Sequence, residues 1–316
     1  MHNGGVNYNG KSVLTDTSSL TKTFDVNGSI VALVTPMLAD GQIDWAALEA
    51  LLEWHLASGT AAIGAVGTTG ESATLTVPEH CEVISFCAQW SKGRIPILAG
   101  TGANSTQEAI ELSLAAADAG ADACLSVTPY YNKPTQAGMI AHFRAIADAV
   151  SIPQVLYNVP GRTSVDLTND SALVLFEHPR ICAIKDATGD VARGVDLIRR
   201  APKLINVYSG DDPTAAQLIL QGGAGNISVT ANVIPQTMAQ LCRAALAGNA
   251  NEVAAIGERI AGLNKALFWE SNPIPVKWAL TYLGRIGAGI RLPLTPLSEQ
   301  YQAGLTAALD ACKENS

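Results

Sequence analysis

Short apolar runs rich in β-branched residues recur along the chain at 29–35, 62–67, 95–100, 123–128, 154–158, 181–185, 205–209 and 226–230. Between them lie stretches in which alanine and leucine return every three or four positions, such as 45–58, 106–119 and 137–150. The first pattern predicts buried strands and the second predicts amphipathic helices. Strand and helix alternating at roughly 20 to 35 residues is the signature of βαβ units and a parallel sheet. Eight such units in about 200 residues suit a closed (β/α)8 TIM barrel better than an open doubly wound sheet. Four further helical stretches follow without strands between them, at 236–247, 251–267, 275–283 and 296–313. The chain is therefore expected to divide into a polar, poorly ordered extension (1–27), a catalytic barrel (28–234) and a C-terminal helical region (235–316).

In a (β/α)8 barrel, chemistry collects where strands end. Strand two is followed by Gly67-Thr68-Thr69-Gly70-Glu71, and strand four by Pro129-Tyr130-Tyr131-Asn132. Strand five ends in Tyr157-Asn158-Val159-Pro160-Gly161-Arg162-Thr163, and strand six in Lys185. Strand seven gives Ser209-Gly210-Asp211-Asp212, and strand eight Thr230-Ala231-Asn232. Glycine, threonine and asparagine are ordinary loop residues. That accounts for the glycines, but not for tyrosines, an arginine and a lysine at one topological level.

Composition narrows the function. The 316 residues are 48% hydrophobic and only 15% charged, as suits elements buried on both faces. The net charge of −8 argues against nucleic acid or an anionic membrane surface as partner. No apolar run reaches a membrane span. The first residues lack the apolar core of a secretory signal. The six cysteines form no CxxC pair, and Cys124 and Cys182 sit in apolar runs, so reduced thiols and a cytoplasmic location are expected. The five histidines show no metal-ligand spacing. His80, His142 and His178 read as surface or packing residues of helices. Adjacent Asp211 and Asp212 point to opposite sides and make a poor chelating pair. No metal or cofactor is expected.

Lys185 changes this picture most. It closes the run Ile181-Cys182-Ala183-Ile184 and precedes Asp186-Ala187-Thr188-Gly189. Taken alone it reads as a lysine reaching for water. Its neighbours at the same level reverse that reading. Burial disfavours the charged form of an amine, and a neutral amine attacks ketones to form Schiff bases. With a 2-oxo acid the product is an iminium that loses a methyl proton to become an enamine, a carbon nucleophile. Tyr157, one strand earlier, can move that proton. The Gly-Thr-Thr-Gly loop offers hydroxyls and a backbone nest for a carboxylate. Arg162 can hold a second carboxylate through a bidentate fork.

These motifs, with the late Glu270-Ser271-Asn272-Pro273-Ile274-Pro275-Val276-Lys277, resemble the dihydrodipicolinate synthase family of pyruvate-dependent class I aldolases, which also contains N-acetylneuraminate lyase. The resemblance runs from about residue 28 to about 308. It implies a lyase that condenses pyruvate with aspartate 4-semialdehyde in the diaminopimelate route to lysine. Lys185 would carry the Schiff base and Tyr157 would donate and accept the proton. Thr68 would link Tyr157 to Tyr131, which would reach in from a neighbouring subunit. Thr69 and the Ile227 carbonyl would bind pyruvate, and Arg162 the aldehyde's carboxylate. A homotetramer, built as a dimer of dimers, is implied as well.

Members of this family are often inhibited by lysine at a subunit interface. Ser72, Ala73, His80, Asn104, Glu108 and Tyr130 fit that site. Val77 departs from it, standing where some sensitive members carry histidine, so feedback inhibition stays open. Two other functions compete. A lyase of the same family acting on a sugar acid or hydroxy-oxo acid would keep Lys185 and Tyr157 but would not need Arg162. A catalytically dead barrel serving as sensor or scaffold would have lost Lys185 or Tyr157, and both are present.

Overall fold

The computed structural model describes residues 24–312. Most of the extension expected over 1–27, and residues 313–316, lie outside the described residues. Eight parallel strands close in sequence order into a barrel, β1 (Gly28–Ala32), β2 (Ala62–Ala65), β3 (Ile97–Gly100), β4 (Ala123–Val127), β5 (Gln154–Asn158), β6 (Ile181–Asp186), β7 (Asn206–Ser209) and β8 (Gly225–Ser228). β8 closes on β1 with Ile227 beside Ile30. This is the (β/α)8 architecture that the strand and helix periodicities predict.

The helices around the barrel are α1 (Trp45–Ala57), α2 (Val77–Ser91), α3 (Thr106–Ala119), α4 (Gln136–Ala149), α5 (Pro160–Thr163), α6 (Asn169–Leu175), α7 (Val191–Arg200) and α8 (Asp212–Leu220). Short polar side chains start most of them by binding an otherwise unpaired N–H, as Asp44, Ser105, Thr135 and Asp190 do. Thr76 and Glu79 form a reciprocal capping box at α2. Beyond the barrel come α9 (Pro235–Leu246), α10 (Ala250–Ala266), α11 (Ile274–Tyr282) and α12 (Glu299–Ala311). α10 packs on α8, α9 and α12, which carries the segment between α10 and α11 over the open end of the barrel. No helix of the described residues is long and apolar enough to cross a membrane.

Four strands end earlier than their apolar runs, β4 by a single residue and the other three for a local reason. β2 stops before Val66, whose φ of 54° turns the chain out of the sheet. Leu33 N–H still donates to the Gly64 carbonyl of β2 at 2.9 Å, but pairing stops at Val34, whose N–H donates to the Asn232 side chain at 3.0 Å instead of to a strand. β8 gives way to a 3-10 turn over Thr230–Asn232, where Asp212 accepts from the N–H groups of Val229 and Thr230 at 3.0 and 2.9 Å.

The interior of the barrel is a packed core of Ile30, Ala62, Leu98, Ala123, Val155, Ala183, Tyr208 and their neighbours. Its lower end is plugged by Phe24, which is buried against it. The Tyr208 hydroxyl donates to the Val26 carbonyl at 2.6 Å. Packed structure thus begins before residue 28, where the sequence pattern alone starts the barrel. With the bottom sealed, access to the strand ends is from the top. All six cysteines are free, and burial pushes Cys87 up to about 12 and Cys182 up to about 11.

Candidate active site

Lys185 and Tyr157 are neighbours in the β5–β6 register, so both side chains point to the same side of the sheet, into the barrel. The Lys185 amine lies 4.2 Å from the centroid of the Tyr157 ring. Both side chains are buried. They line a cavity of about 120 Å³ together with Thr68, Thr69, Arg162, Ala187, Gly210, Asp211, Ile227 and Asn272. The amine, the phenol, two threonine hydroxyls and the guanidinium predicted from separate strand ends are therefore brought into one enclosure.

The Gly67–Glu71 loop is held in an unusual shape. Val66 and Glu71 flank it with φ of 54° and 58°, values rare for residues with side chains. A Cβ on Gly70 would stand 3.0 Å from the Val66 Cα and 3.1 Å from the Leu33 carbonyl, so glycine is needed for the close approach. Two ionic contacts hold this shape. The Glu71 carboxylate is fully buried, ion-paired with buried Lys277 of α11, and accepts from the Arg291 N–H at 3.2 Å. Burial pulls the Lys277 amine below its usual range, and the Glu71 carboxylate opposes that shift. Arg291 also forks onto Glu79 at 2.8 and 2.6 Å, which holds that carboxyl down to about 2. The C-terminal helices thereby brace the loop that presents Thr68 and Thr69.

Arg162 stands at the end of the short helix α5, and its Nη2 donates to the Asn272 carbonyl at 3.2 Å. The Asn272 amide donates to the Thr69 hydroxyl at 2.9 Å. Gly210 faces the lysine, and a Cβ there would lie 2.6 Å from the Lys185 Cε and 2.7 Å from the Ala187 Cβ. Next to Lys185, Asp186 turns away from the cavity toward Arg193 at 3.4 Å and the Thr188 N–H at 3.0 Å. Burial raises the Asp186 carboxyl above its usual range. Asp211 lines the cavity, whereas Asp212 is buried in the β8 turn, so the two carboxylates diverge.

A second cavity of about 260 Å³ adjoins the first and shares Thr68, Val159 and Arg162 with it. Ser72, Ala73, Val77, His80, Glu108 and Tyr130 line it. His80, read from the sequence as a packing residue of a helix and also as part of the lysine site, is buried on α2 with Nε2 at 2.7 Å from the Gly100 carbonyl. Burial lowers the His80 ring and raises the Tyr130 hydroxyl, and the Glu108 charge supports both proton-bound forms. His142 packs on Phe143 and contacts Thr106 Oγ1 at 2.9 Å, and His178 lies 3.1 Å from Asp148.

Two of the singled-out residues line neither cavity. Asn104 offers its carbonyl to the Asn132 side chain at 2.8 Å. Tyr131 is 88% exposed on a backbone with φ of 72°. Among the described residues no hydrogen bond joins the Thr68 hydroxyl to Tyr157. No local pattern marks Asn272, Lys277, Glu71 or Gly210, although all four stand inside or beside the motifs at the strand ends and before α11, because their partners lie 23 to more than 200 positions away and only folding reveals them.

Comparison with known proteins gives the family of the whole chain. The dihydrodipicolinate synthetase family matches residues 25–312. A 4-hydroxy-tetrahydrodipicolinate synthase from Stutzerimonas stutzeri (strain A1501) is 59% identical over 284 residues, spanning 90% of this chain and 97% of that protein. One from Cellvibrio japonicus (strain Ueda107) is 58% identical over 90% of this chain and 98% of its own length. The crystal structure of the chloride-inhibited dihydrodipicolinate synthase from Acinetobacter baumannii, complexed with pyruvate, superposes with a TM-score of 0.89 at 58% identity, covering 90% of this chain and 98% of that one. The enzyme from Cyanidioschyzon merolae with lysine bound has a TM-score of 0.88 at 39% identity, covering 92% and 99%. On matches of this extent, the chain belongs to the dihydrodipicolinate synthetase family.

Proposed function

We propose that this chain catalyses the reaction for which its curated relatives are named, joining pyruvate to aspartate 4-semialdehyde through a Schiff base on Lys185. The observation that carries the reading is the buried Lys185 amine against the Tyr157 ring, in a cavity that also holds Thr69 and Arg162. A single enclosure with two separate anion-binding groups suits two carboxylate substrates.

The chemistry follows from those groups. The Lys185 amine adds to the keto carbon of pyruvate, and loss of water gives the iminium. Tyr157 removes a methyl proton, and the electron pair left behind makes the enamine. Its terminal carbon attacks the aldehyde carbon, and the aldehyde oxygen takes up a proton to become the hydroxyl. The amino group of the second substrate then displaces the Lys185 amine at the former keto carbon and closes the ring. Thr69 holds the pyruvate carboxylate and Arg162 that of the aldehyde. The Ile227 carbonyl lines the pyruvate side, and Thr68 belongs to the proton path from Tyr157. The chemistry calls for neither metal nor cofactor.

Tyr131 completes that path in a second copy of the chain. Tyr130 and Val77, which line the second cavity, and Tyr131 next to Tyr130 are exposed large groups, as a subunit interface requires. A homotetramer of two such dimers, working in the cytoplasm, is the assembly we assign. Lysine binds in the second cavity, its ammonium on Glu108 and its carboxylate at the Tyr130 hydroxyl. Thr68 and Arg162 form the shared wall through which it would act on catalysis. Borohydride reduction with pyruvate, followed by mass spectrometry, tests the central claim. A reduced pyruvate unit is expected on Lys185, together with consumption of aspartate semialdehyde. Trapping on another lysine, or none, would overturn it.

A further inference from the structure

We propose that Asn272 is a positioning residue for the keto-acid half of the site, turning the Thr69 hydroxyl so that its proton is free for the pyruvate carboxylate. The inference rests on the reading of the cavity as a pyruvate-binding lysine site. Asn272 lies between α10 and α11, is 6% exposed, and lines the cavity with Thr69. Its Nδ2 donates to the Thr69 Oγ1 at 2.9 Å.

A hydroxyl has one proton to give and two lone pairs to receive. Thr69 spends a lone pair on Asn272, not its proton. Thr69 is 3% exposed, and among the described residues its hydroxyl makes no other hydrogen bond, so the proton is left to a group inside the cavity. An amide turned the other way would take that proton on its oxygen. The Asn272 Oδ1 is instead buried without a partner, so the contact with Thr69 is the one hydrogen bond of this side chain among the described residues.

The same residue serves both anion sites by different atoms. Its main-chain carbonyl accepts from Arg162 Nη2 at 3.2 Å, and its side chain holds Thr69. Replacing the side chain should therefore disturb pyruvate while leaving the guanidinium's partner in place. A role in folding alone would not separate the two substrates.

The test measures how borohydride trapping on Lys185 depends on pyruvate concentration in wild type, Asn272→Leu, Thr69→Val and the double variant. Thermal melting checks each fold. Asn272→Leu should need about 5- to 10-fold more pyruvate, as for the loss of one ordinary hydrogen bond between neutral groups. In the Thr69→Val background the same change should add less than about twofold, and KM for the aldehyde should hold within about twofold. An unchanged pyruvate dependence, or an equal penalty in both backgrounds, would overturn the assignment. Should Asn272→Leu fail to fold, Asn272→Asp keeps the size but only accepts, and it should weaken pyruvate comparably; no weakening there also overturns it. A wild-type chain that traps no pyruvate would instead overturn the reading of the site itself.

Discussion

Tyr157 and Lys185 sit side by side on adjacent parallel strands, and the Lys185 amine lies 4.2 Å from the centre of the Tyr157 ring. The pairing is set by the sheet, not by a loop, so it is fixed to the precision of the backbone ladder. Rigid placement of a nucleophile beside a proton carrier is what a site of this kind needs.

Tyr157→Phe keeps the ring and removes the hydroxyl. Turnover should fall by about 10² to 10⁴-fold, the usual contribution of a general acid–base group. Pyruvate should still be trapped on Lys185. Steady-state kinetics alongside trapping checks both, and turnover equal to wild type would remove Tyr157 from the mechanism.

Gly210→Ala should close the space that the lysine occupies. Its Cβ would lie 2.6 Å from the Lys185 Cε. Overpacking of this sort costs about 1 to 3 kcal/mol when the fold absorbs it. The expected result is a folded protein that traps pyruvate poorly. Normal trapping would show that Lys185 does not lie against Gly210 during reaction.

Arg162→Ala should chiefly harm the aldehyde. Loss of a charge-assisted contact is worth roughly 1.5 to 3 kcal/mol in kcat/KM. The apparent affinity for pyruvate should change little if Thr69, as proposed, holds its carboxylate. Equal losses for both substrates would indicate a general structural role for the arginine.

Tyr131 is 88% exposed in the single chain, so the catalytic role proposed for it requires a partner. Tyr131→Phe and Lys185→Ala chains should each be nearly inactive alone. Mixed oligomers of the two should regain activity, since some sites then hold both intact residues. Verified mixed oligomers without rescue would reject a shared site.

Burial lowers the His55 ring to about 3 and the His142 ring to about 4. In the unfolded chain both take up a proton near pH 6.5. The native state binds fewer protons between these values, so its stability is full above pH 6.5 and falls as pH drops toward 4 and below. Urea unfolding at steps between pH 7 and 4 should show the decline. Replacing both rings with glutamine should flatten it, and an unchanged slope would assign the acid sensitivity to other groups.

The sequence by itself determined the order of elements and which residues carry chemistry. Strand and helix periodicities are local, and a (β/α)8 barrel places its strand ends on one face, so Lys185, Tyr157, Thr68, Thr69 and Arg162 group together from the sequence alone. Lys185 stood out because a lysine closing an apolar strand needs a reason. What local pattern could not give was the ends of β1, β2 and β8. Those are decided by the Val66 backbone, by Asn232 reaching Val34, and by Asp212 gathering the β8 turn. Nor could it show that Phe24 seals the barrel. The hold of Asn272 on Thr69 and of Lys277 on Glu71 joins residues 203 and 206 positions apart. Such contacts leave no periodicity in the chain, because a hydrogen bond or buried ion pair depends on where two backbones come together, and only the closed barrel with α11 docked across its mouth brings these together.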